Sequence, residues 1–369
     1  MFKLHVVQAE YGDCFLVQFG QPTRPHFLLL DGGPPLTYER HLLPQLSAIA
    51  ADGGRLDLAI VSHVDNDHLA GVLDLLRDLR RQRAQGAPET VGIDALWHNA
   101  FGQTVGSGND FEPRLQALVE APETTPPLSQ TATTVQSIAA GHELRLHAIA
   151  LGTDINPGFR RGVVVAEDPP LVRTLDNLRL HIVGPTRPCL EELKREWQSW
   201  LERSEASLPA GDPFALAQAD RSIPNLSSIA VLAEADDHTI LFAGDSRGDH
   251  LLQGLQQADL LDEDGCLHVD VFKLPHHGSA RSISRNLLQK VTAETYVISA
   301  NGRSEHPDLA SLIWIVESAR ARRQPVKIVV TNETFSTARL VKDYVPHMHG
   351  YQLTVMDKGA HAMALPLAD

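Results

Sequence analysis

The feature that most constrains the fold is a run of metal-ligand side chains directly behind an apolar segment. The sequence SHVDNDHLAG places His63, Asp65, Asp67 and His68 within six positions. The apolar segment before it, Leu56–Val61, has the character of a buried strand. Four such side chains at the end of one strand imply a metal centre, and their number favours two ions. A chain that binds two divalent cations side by side is most often a hydrolase.

Length and composition are those of a globular protein. The chain has 369 residues, of which 43% are hydrophobic, so it can bury a sizeable core. Its first residues do not resemble a signal peptide, and no apolar run approaches the roughly 20 residues of a membrane helix. The three cysteines, Cys14, Cys189 and Cys266, are scattered and argue against a disulfide framework. We therefore expect a cytoplasmic protein without a membrane partner.

The charge balance restricts the partners. A net charge of −14 argues against broad, non-specific attraction to nucleic acid, because that attraction depends on Lys and Arg against phosphate. A local basic patch remains compatible with this charge. The 18 histidines favour metal chemistry. The oligomeric state is not predicted.

Short segments with strand or helix patterns alternate along the whole chain. Helices are predicted at 38–50, 69–83, 190–204, 249–259 and 309–323. Strands distributed over both halves indicate two packed sheets with helices outside, in a single domain over residues 1–369 with irregular insertions at 100–135 and 152–222. The predicted strands are 3–8, 14–19, 27–30, 56–61, 91–98, 141–151, 175–183, 227–234, 238–243, 269–274, 295–300, 326–331, 351–356 and 360–365.

Further polar residues stand where other predicted strands end. Asp31 ends the strand in LLLDGG, and Asp245 ends the strand in ILFAGD. His276 and His277 follow the strand in VFKLPHHG, and Asn225 precedes the strand that leads into a hairpin. Loops at one edge of a rigid sheet can bring such residues to a shared ion. We expect these side chains to converge.

This pattern resembles the metallo-β-lactamase superfamily. That family has an α/β fold, an αββα sandwich of two mixed β-sheets flanked by helices, with a two-metal site at one sheet edge. Its leading motif is usually His-x-His-x-Asp-His, which corresponds here to residues 63–68. Asp245, after Gly244, is similar to its bridging aspartate, and the pair His276 and His277 is similar to its last histidine.

Within the superfamily the chain most resembles the hydrolase domain of the ComEC competence proteins and their soluble relatives. They share the Asp form of the leading motif, the Gly-Asp turn at 12–13 and the His-His-Gly-Ser segment at 276–279. They also share the later Ser-Ala-Asn…His-Pro element, here 299–301 and 306–307. The resemblance runs with gaps from residue 1 to about residue 310.

Two departures from the family pattern bear on the metal. Asp65 stands where most relatives have His, and Asn225 stands roughly where a second His is expected. The first metal site would then be richer in oxygen donors, which favours Mn²⁺, Mg²⁺ or Fe²⁺, although availability also decides which ion is bound. The resemblance implies two divalent ions as cofactors, Zn²⁺ or Mn²⁺, with Mg²⁺ and Fe²⁺ as alternatives.

The resemblance also implies the ligands. Asp67, His68 and Asp245 form the second site together with one histidine of the pair, and the spacing favours His277 over His276. The full set of candidate ligands is His63, Asp65, Asp67, His68, Asp245, His276 and His277.

Other residues are expected to act around the ions. Asp245 is the bridging carboxylate, and Asp67 orients the bridging hydroxide or takes its proton. Asp31 supports a ligand histidine from outside the ligand shell, with a plain turn role as the alternative. His306 faces the substrate or protonates a leaving group, or else caps the helix that starts near residue 307. Asn225 and Asn301 shape the substrate pocket or support the ligands, whereas Lys273 packs within a strand.

The predicted function is a metal-dependent hydrolase that uses a metal-bridging hydroxide on a phosphoester. A phosphodiester in nucleic acid is one such substrate, because ComEC-type domains are thought to degrade DNA. The negative charge favours a short or small substrate over a long duplex. Hydrolysis of a lactone, thioester or amide is the first alternative. A degenerate binding module with a structural metal, or without one, is the second.

Overall fold

Two mixed β-sheets lie face to face in the computed structural model, which describes residues 1–100, 129–206 and 224–368. The first sheet has the strand order β15-β1-β2-β3-β4-β5-β6 in the described part of the chain. Strands β3, β4 and β5 run parallel, whereas β15, β1 and β2 pair antiparallel. Its strands are β1 (Phe2–Val7), β2 (Cys14–Gln21), β3 (Arg24–Gly32), β4 (Leu56–Val61), β5 (Ile93–His98), β6 (Asp154–Ile155) and β15 (Ala362–Ala368).

The second sheet has the order β14-β13-β12-β11-β10-β9-β8-β7 over the same described ranges. Strands β10 to β14 are parallel, and β7 to β10 form antiparallel pairs. Its strands are β7 (Val172–Leu175), β8 (Leu178–Gly184), β9 (Ala230–Ala235), β10 (His238–Phe242), β11 (Leu267–Lys273), β12 (Val291–Ile298), β13 (Val326–Val330) and β14 (Tyr351–Val355).

Three apolar layers hold the sheets and helices together. The inner faces of the sheets pack on each other, as shown by the rings of Phe15 and Phe242, whose centroids are 5.8 Å apart. Helices α1, α2 and α3 cover the first sheet, and α5, α6 and α7 cover the second. This arrangement confirms the expected αββα sandwich. The helices are α1 (Leu43–Ala51), α2 (Asn66–Ala84), α3 (Ser129–Leu151), α4 (Arg187–Ala206), α5 (Gly248–Gln257), α6 (Arg285–Lys290), α7 (Leu309–Arg322), α8 (Phe335–Asp343) and α9 (Pro346–His349).

The prediction of a strand over residues 141–151 is wrong, because this segment is the second half of α3. The alternation of Leu144, Leu146 and Ala148 with polar residues imitates the two-residue period of a strand. In the structure Leu144 and Ala148 are buried, whereas Leu146 is exposed. Together with buried Ser137 and Gly141, the buried positions follow the spacing of three and four that a helix gives.

The two expected insertions differ in outcome. Much of the first, over 100–135, lies outside the described residues. The described part of the second, residues 152–206, contributes strands β6, β7 and β8 and helix α4, and residues 207–222 lie outside the described residues. None of the helices over the described residues combines the length and apolar character needed to cross a membrane.

The parallel strands bring their carboxyl ends to the inner edge where the two sheets meet. Ile229 N donates to Ser62 O at 2.8 Å, and Ser299 Oγ donates to Gly12 O, so loops from both sheets bond to each other there. The loops after β3, β4, β10, β11 and β12 carry the residues singled out in the sequence. This edge therefore contains the candidate site.

Candidate metal centre

The carboxylate of Asp245, in the loop after β10, lies at the centre of four histidines. Its Oδ1 is 3.3 Å from His68 Nε2. Its Oδ2 is 3.9 Å from His63 Nε2 and 3.8 Å from the Nε2 atoms of both His276 and His277. The fold thus brings residues that are more than 200 positions apart in the sequence close to a single carboxylate.

The leading motif spans the end of β4 and the first turn of α2. Asp65 is the residue immediately before α2, and its Oδ2 is 3.5 Å from His63 Nε2. Asp67 lies in the first turn of α2, and its Oδ2 is 3.3 Å from His277 Nε2. The strand-to-helix junction therefore brings candidate ligand side chains from both elements close to Asp245 and its histidines.

Two of these histidines have their protonation fixed by acceptors on Nδ1. His68 Nδ1 is 2.8 Å from Asp31 Oδ2, and His277 Nδ1 is 3.0 Å from the carbonyl oxygen of Ser299. Because a carboxylate and a carbonyl only accept hydrogen bonds, each Nδ1 must carry the proton. In the neutral ring, Nε2 then keeps a free lone pair.

His63 is held in the same way through a serine. Ser62 Oγ donates its one hydrogen to Asp31 Oδ2 at 2.8 Å, so it can only accept from His63 Nδ1, at 3.0 Å. Ser62 N also donates to Asp31 Oδ1 at 2.7 Å. Asp31 therefore supports His68 directly and His63 through Ser62.

The histidine nitrogens that face Asp245 are buried and have no hydrogen-bond partner in the described part of the protein. The Nε2 atoms of His63, His68 and His277, and Asp245 Oδ1, have no hydrogen-bond partner within the described ranges. A buried polar group without a partner typically costs about 1–3 kcal/mol, so native proteins rarely leave several together. Imidazole nitrogen and carboxylate oxygen are the ligands that Zn²⁺ and Mn²⁺ accept. The residues fit a divalent metal.

The Pro-His-His-Gly turn directs both of its histidine rings toward Asp245. His276 and His277 adopt left-handed backbone conformations, with φ of 50° and 52°. Such conformations are costly for residues with a Cβ and are kept where function or packing requires them. His276 Nδ1 lies 3.0 Å from Ser282 Oγ and 3.5 Å from Asn225 Nδ2. Both rings are thereby turned toward Asp245.

A buried ion pair lies behind the histidines. Lys273 is fully buried, forms an ion pair with Asp13 and donates to the carbonyl oxygen of Gly244 at 3.0 Å. Its Nζ is also 3.9 Å from Asp245 Oδ1. The sequence predicts only that Lys273 packs within its strand. In the structure its charge also holds the loop that carries Asp245.

Asp13 lies near the Nδ1 atoms of two of the candidate ligand histidines. Its Oδ1 is 3.4 Å from His277 Nδ1, and its Oδ2 is 3.7 Å from His68 Nδ1. Asp13 can be grouped with His68, Asp245 and His277 as a metal-binding set by distance alone. Because it faces the Nδ1 atoms and Lys273, we assign it as a positioning residue and not as a ligand.

Charge in this cluster favours a cation. Burial lowers the pKa of His277, but the carboxylates of Asp245 and Asp13 outweigh it and raise that pKa to about 10. Burial opposes the charge on His68 too, yet Asp245 and Asp31 hold its pKa well above the usual value. The carboxylates create a negative potential that a divalent cation would neutralise.

The remaining predicted residues lie at the margin of this cluster. The ring of His306 is 5.4 Å from that of His276, and burial, followed by the charges of His276 and His277, lowers the pKa of His306 to about 4. The Asn301 side chain donates to Glu10 Oε2 at 3.1 Å. Asn225 is joined to the cluster through His276.

Comparisons with known proteins agree with this architecture. A family model described as the metallo-beta-lactamase superfamily matches residues 8–80, which include the leading motif, strands β2 to β4 and most of α2. No curated protein matches the chain. The match and the two mixed sheets between helices together support the metallo-β-lactamase superfamily and show its fold.

Two solved structures can be aligned with the chain. The metallo-beta-lactamase fold protein YhfI from Bacillus subtilis is 10% identical, with 99% of this chain and 100% of that chain covered and a TM-score of 0.39. The short form of human tRNase Z (ELAC1) is 11% identical, with 100% of each chain covered and a TM-score of 0.36.

Proposed function

We propose that the chain is a metal-dependent hydrolase with two divalent ions and that its substrates are phosphoesters, including phosphodiesters of nucleic acid. The observation that carries the proposal is the convergence of three buried, unpartnered histidine Nε2 atoms on Asp245. A purely structural cluster would pair these atoms with protein donors.

Two groups of ligands share Asp245 in this proposal. Asp67, His68 and His277 lie on one side and would hold one ion. His63 and Asp65 would hold the other ion. His276 lies near Asp245 Oδ2, the same carboxylate oxygen that His63 approaches. When bound, two such cations lower the pKa of a water molecule toward neutrality and stabilise the negative charge that develops on the substrate.

Asp67 would orient the attacking water as a charged hydrogen-bond acceptor. Burial raises the pKa of Asp67, but His277, whose Nε2 is 3.3 Å away, and the charge of His68 outweigh it and hold the pKa well below its usual value. Asp67 is therefore a carboxylate at neutral pH. Its side chain is 28% exposed, so a water molecule can reach it.

His306 would act on the leaving group, and its position beside His276 supports this role. Its depressed pKa makes it a neutral imidazole at pH 7. An anionic phosphoester bound next to this ring would raise that pKa and let the ring hold a proton for the leaving oxygen. An uncharged acyl substrate would not have this effect.

The ligand chemistry favours phosphoesters. Asp65, Asp67 and Asp245 give the site more oxygen donors than a three-histidine zinc site has, which favours harder cations such as Mn²⁺. Such cations bind phosphate oxygens well. The net charge of −14 favours short substrates.

The test is hydrolysis by the protein loaded with Mn²⁺ or Zn²⁺. The substrates are bis(p-nitrophenyl) phosphate, a short single-stranded DNA, p-nitrophenyl acetate and a lactone. We expect turnover of the phosphodiesters, and we expect His68→Ala to lose more than the roughly 10–100-fold that removal of a supporting group costs. His347→Ala, at an exposed position on α9, is the control.

The other outcomes separate the alternatives. Turnover of acyl substrates alone would assign the site to lactone, thioester or amide hydrolysis. A folded protein that binds no metal and hydrolyses none of these substrates would favour a binding module.

A further inference from the structure

The side chains of Arg303 and Tyr11 stack on each other at the rim of the candidate metal centre. The guanidinium carbon of Arg303 lies 4.1 Å from the centroid of the Tyr11 ring. Tyr11 belongs to the loop between β1 and β2, and Arg303 belongs to the loop between β12 and α7. Each sheet therefore contributes one loop to this stack.

The loop of Tyr11 is joined to the candidate site. Tyr11 is two residues before Asp13, whose N–H donates to the carbonyl oxygen of Asp67 at 3.1 Å. Between them, the carbonyl oxygen of Gly12 accepts a hydrogen bond from Ser299 Oγ. These bonds fix Tyr11 next to the first turn of α2 and to the end of β12.

The loop of Arg303 is closed around His306. The carbonyl oxygen of Arg303 accepts a hydrogen bond from His306 N at 3.4 Å, and Gly302 N donates to His306 O at 3.1 Å. The ring of His306 is in turn 5.4 Å from the ring of the candidate ligand His276. The stack therefore lies beside the residues between which a substrate would bind.

The Arg303 guanidinium is available to an anion. The side chain is exposed and has no ion pair or side-chain hydrogen bond with any residue in the ranges 1–100, 129–206 and 224–368. Glu10, in the neighbouring loop, instead accepts a hydrogen bond from Asn301 Nδ2 at 3.1 Å. Arg247, in the loop after β10, differs because it is paired with Asp249. Stacking on Tyr11 thus holds the Arg303 guanidinium and leaves its N–H groups free to donate.

A planar cation stacked on an aromatic ring matches the chemistry of a nucleotide. Guanidinium N–H groups bind phosphate oxygens in pairs. One face of the Arg303 guanidinium lies on Tyr11, and because the side chain is exposed, the opposite face is open to a nucleobase. Bases are free to stack in this way in a single strand, whereas in a duplex neighbouring base pairs cover both of their faces.

We propose that Arg303 and Tyr11 form a subsite for the nucleotide next to the scissile phosphodiester of a single-stranded nucleic acid. Arg303 donates to the phosphate of that nucleotide, whose base stacks on the open face of the guanidinium. The proposal rests on the proposed hydrolase function and narrows its substrate class. A net charge of −14 does not oppose it, because salt screens distant charges and the contact is local.

The test measures binding to the full chain loaded with Mn²⁺, by fluorescence anisotropy. The probe is a dye-labelled strand of eight thymidine nucleotides with phosphorothioate linkages, which resist hydrolysis. We expect Arg303→Ala to weaken binding about tenfold, and Tyr11→Leu to weaken it severalfold because the guanidinium is no longer held. Arg320→Ala, at an exposed position in the last turn of α7, is the matched control and should bind as the wild type does.

An abasic phosphorothioate strand of the same length separates stacking from charge. The wild type should bind it about tenfold more weakly than the thymidine strand, because only the phosphate contacts remain.

Three results would each overturn the proposal. They are a wild type that does not bind the thymidine strand, unchanged binding by Arg303→Ala or Tyr11→Leu, and equal affinity of the wild type for the two strands. Turnover of bis(p-nitrophenyl) phosphate by the same preparation tests the hydrolase separately. Turnover together with unchanged binding by Arg303→Ala refutes the subsite alone, whereas arginine-dependent binding without turnover refutes hydrolysis alone.

Discussion

Lys273 and Asp13 form a pair of opposite charges with no exposed surface, directly beneath the candidate ligands. Lys273 also bonds to the carbonyl oxygen of Gly244, the residue before Asp245. Neither charge can be screened by water, so each depends on the other. The pair therefore fixes the loop of Asp245 and the outer edges of His68 and His277 at the same time.

Lys273→Met is predicted to destabilise the fold by about 3–5 kcal/mol, because it leaves the Asp13 carboxylate buried without a counter-charge. The free energy of unfolding in urea measures the loss. The double variant Lys273→Met/Asp13→Asn should recover part of it, since no uncompensated charge remains. Lys358→Met, on an exposed turn, should change little. A cost below about 1 kcal/mol for Lys273→Met would contradict the assigned role.

The sequence shows the Gly-Asp turn at residues 12–13 but does not predict the role of Asp13. The missing information is the pairing of β2 with β3, in which Cys14 lies opposite Gly32 and both Asp13 and Asp31 come near His68 Nδ1. The motif residues His63 to His68 are different, since one strand end and one helix start suffice to bring them together. Local clusters can be found in the sequence, whereas supporting groups depend on strand pairing.

At the scale of elements, α2 depends on a close approach to β3. A Cβ at Gly71 would lie 1.9 Å from the carbonyl oxygen of Gly32, and Gly71 N donates to Gly33 O at 3.1 Å. Only glycine allows this backbone contact. The contact sets the position of the first turn of α2, which carries Asp67 and His68.

Gly71→Ala is predicted to cost about 1–3 kcal/mol of stability and to weaken metal binding, because α2 must move away from β3. Urea unfolding and metal titration measure the two effects. Gly92→Ala is the matched control, since its nearest neighbour is the movable tip of Arg55 at 3.3 Å. Equal behaviour of the two variants would show that the close approach does not hold the site.

The wrong prediction of a strand at residues 141–151 also concerns a single element. A short alternating segment satisfies the strand pattern, and the decision between strand and helix depends on what it packs against. Here α3 lies on α2 and buries one helical stripe, including Gly141 against Val64 and His98. Tertiary packing, which the segment itself does not contain, selected the helix.

His98, at the end of β5 beneath α3, gives a predicted pH dependence. Burial, with the charge of Arg145, lowers the pKa of His98 to about 4, compared with about 6.5 in the unfolded chain. Between these values the unfolded state binds the proton more strongly, so stability falls as the pH drops from 6.5 toward 4. At pH 5 the cost is about 2 kcal/mol, and at pH 7 it is negligible.

Urea unfolding of the wild type and of His98→Leu at pH 7.5 and pH 5 tests this expectation. The wild type should lose about 2 kcal/mol more than the variant between the two pH values. An equal loss of stability in the wild type and in His98→Leu would contradict this expectation, because His98 would then titrate alike in the folded and unfolded chains.

At the scale of the whole molecule, the site exists only because two sheets pack face to face and loops from both meet at the same end of the sandwich. The first sheet supplies Asp31 and the motif from His63 to His68, and the second supplies Asp245 and the histidine pair. The sequence indicated this convergence, because each residue follows a predicted strand and parallel strands end at one edge. It did not indicate the hairpin of β7 and β8, which extends the second sheet to eight strands among the described residues.

Metal content is the most direct measurement of the central claim that side chains from both sheets hold divalent ions around Asp245. The purified protein is loaded with Mn²⁺ or Zn²⁺, freed of unbound ions by gel filtration and analysed by mass spectrometry of the elements. We predict about two ions per chain for the wild type and for Asp52→Asn, at the exposed end of α1. Folded Asp245→Asn should lose most of the bound metal. A folded wild type that binds no metal, or an Asp245→Asn variant that keeps both ions, would contradict the account.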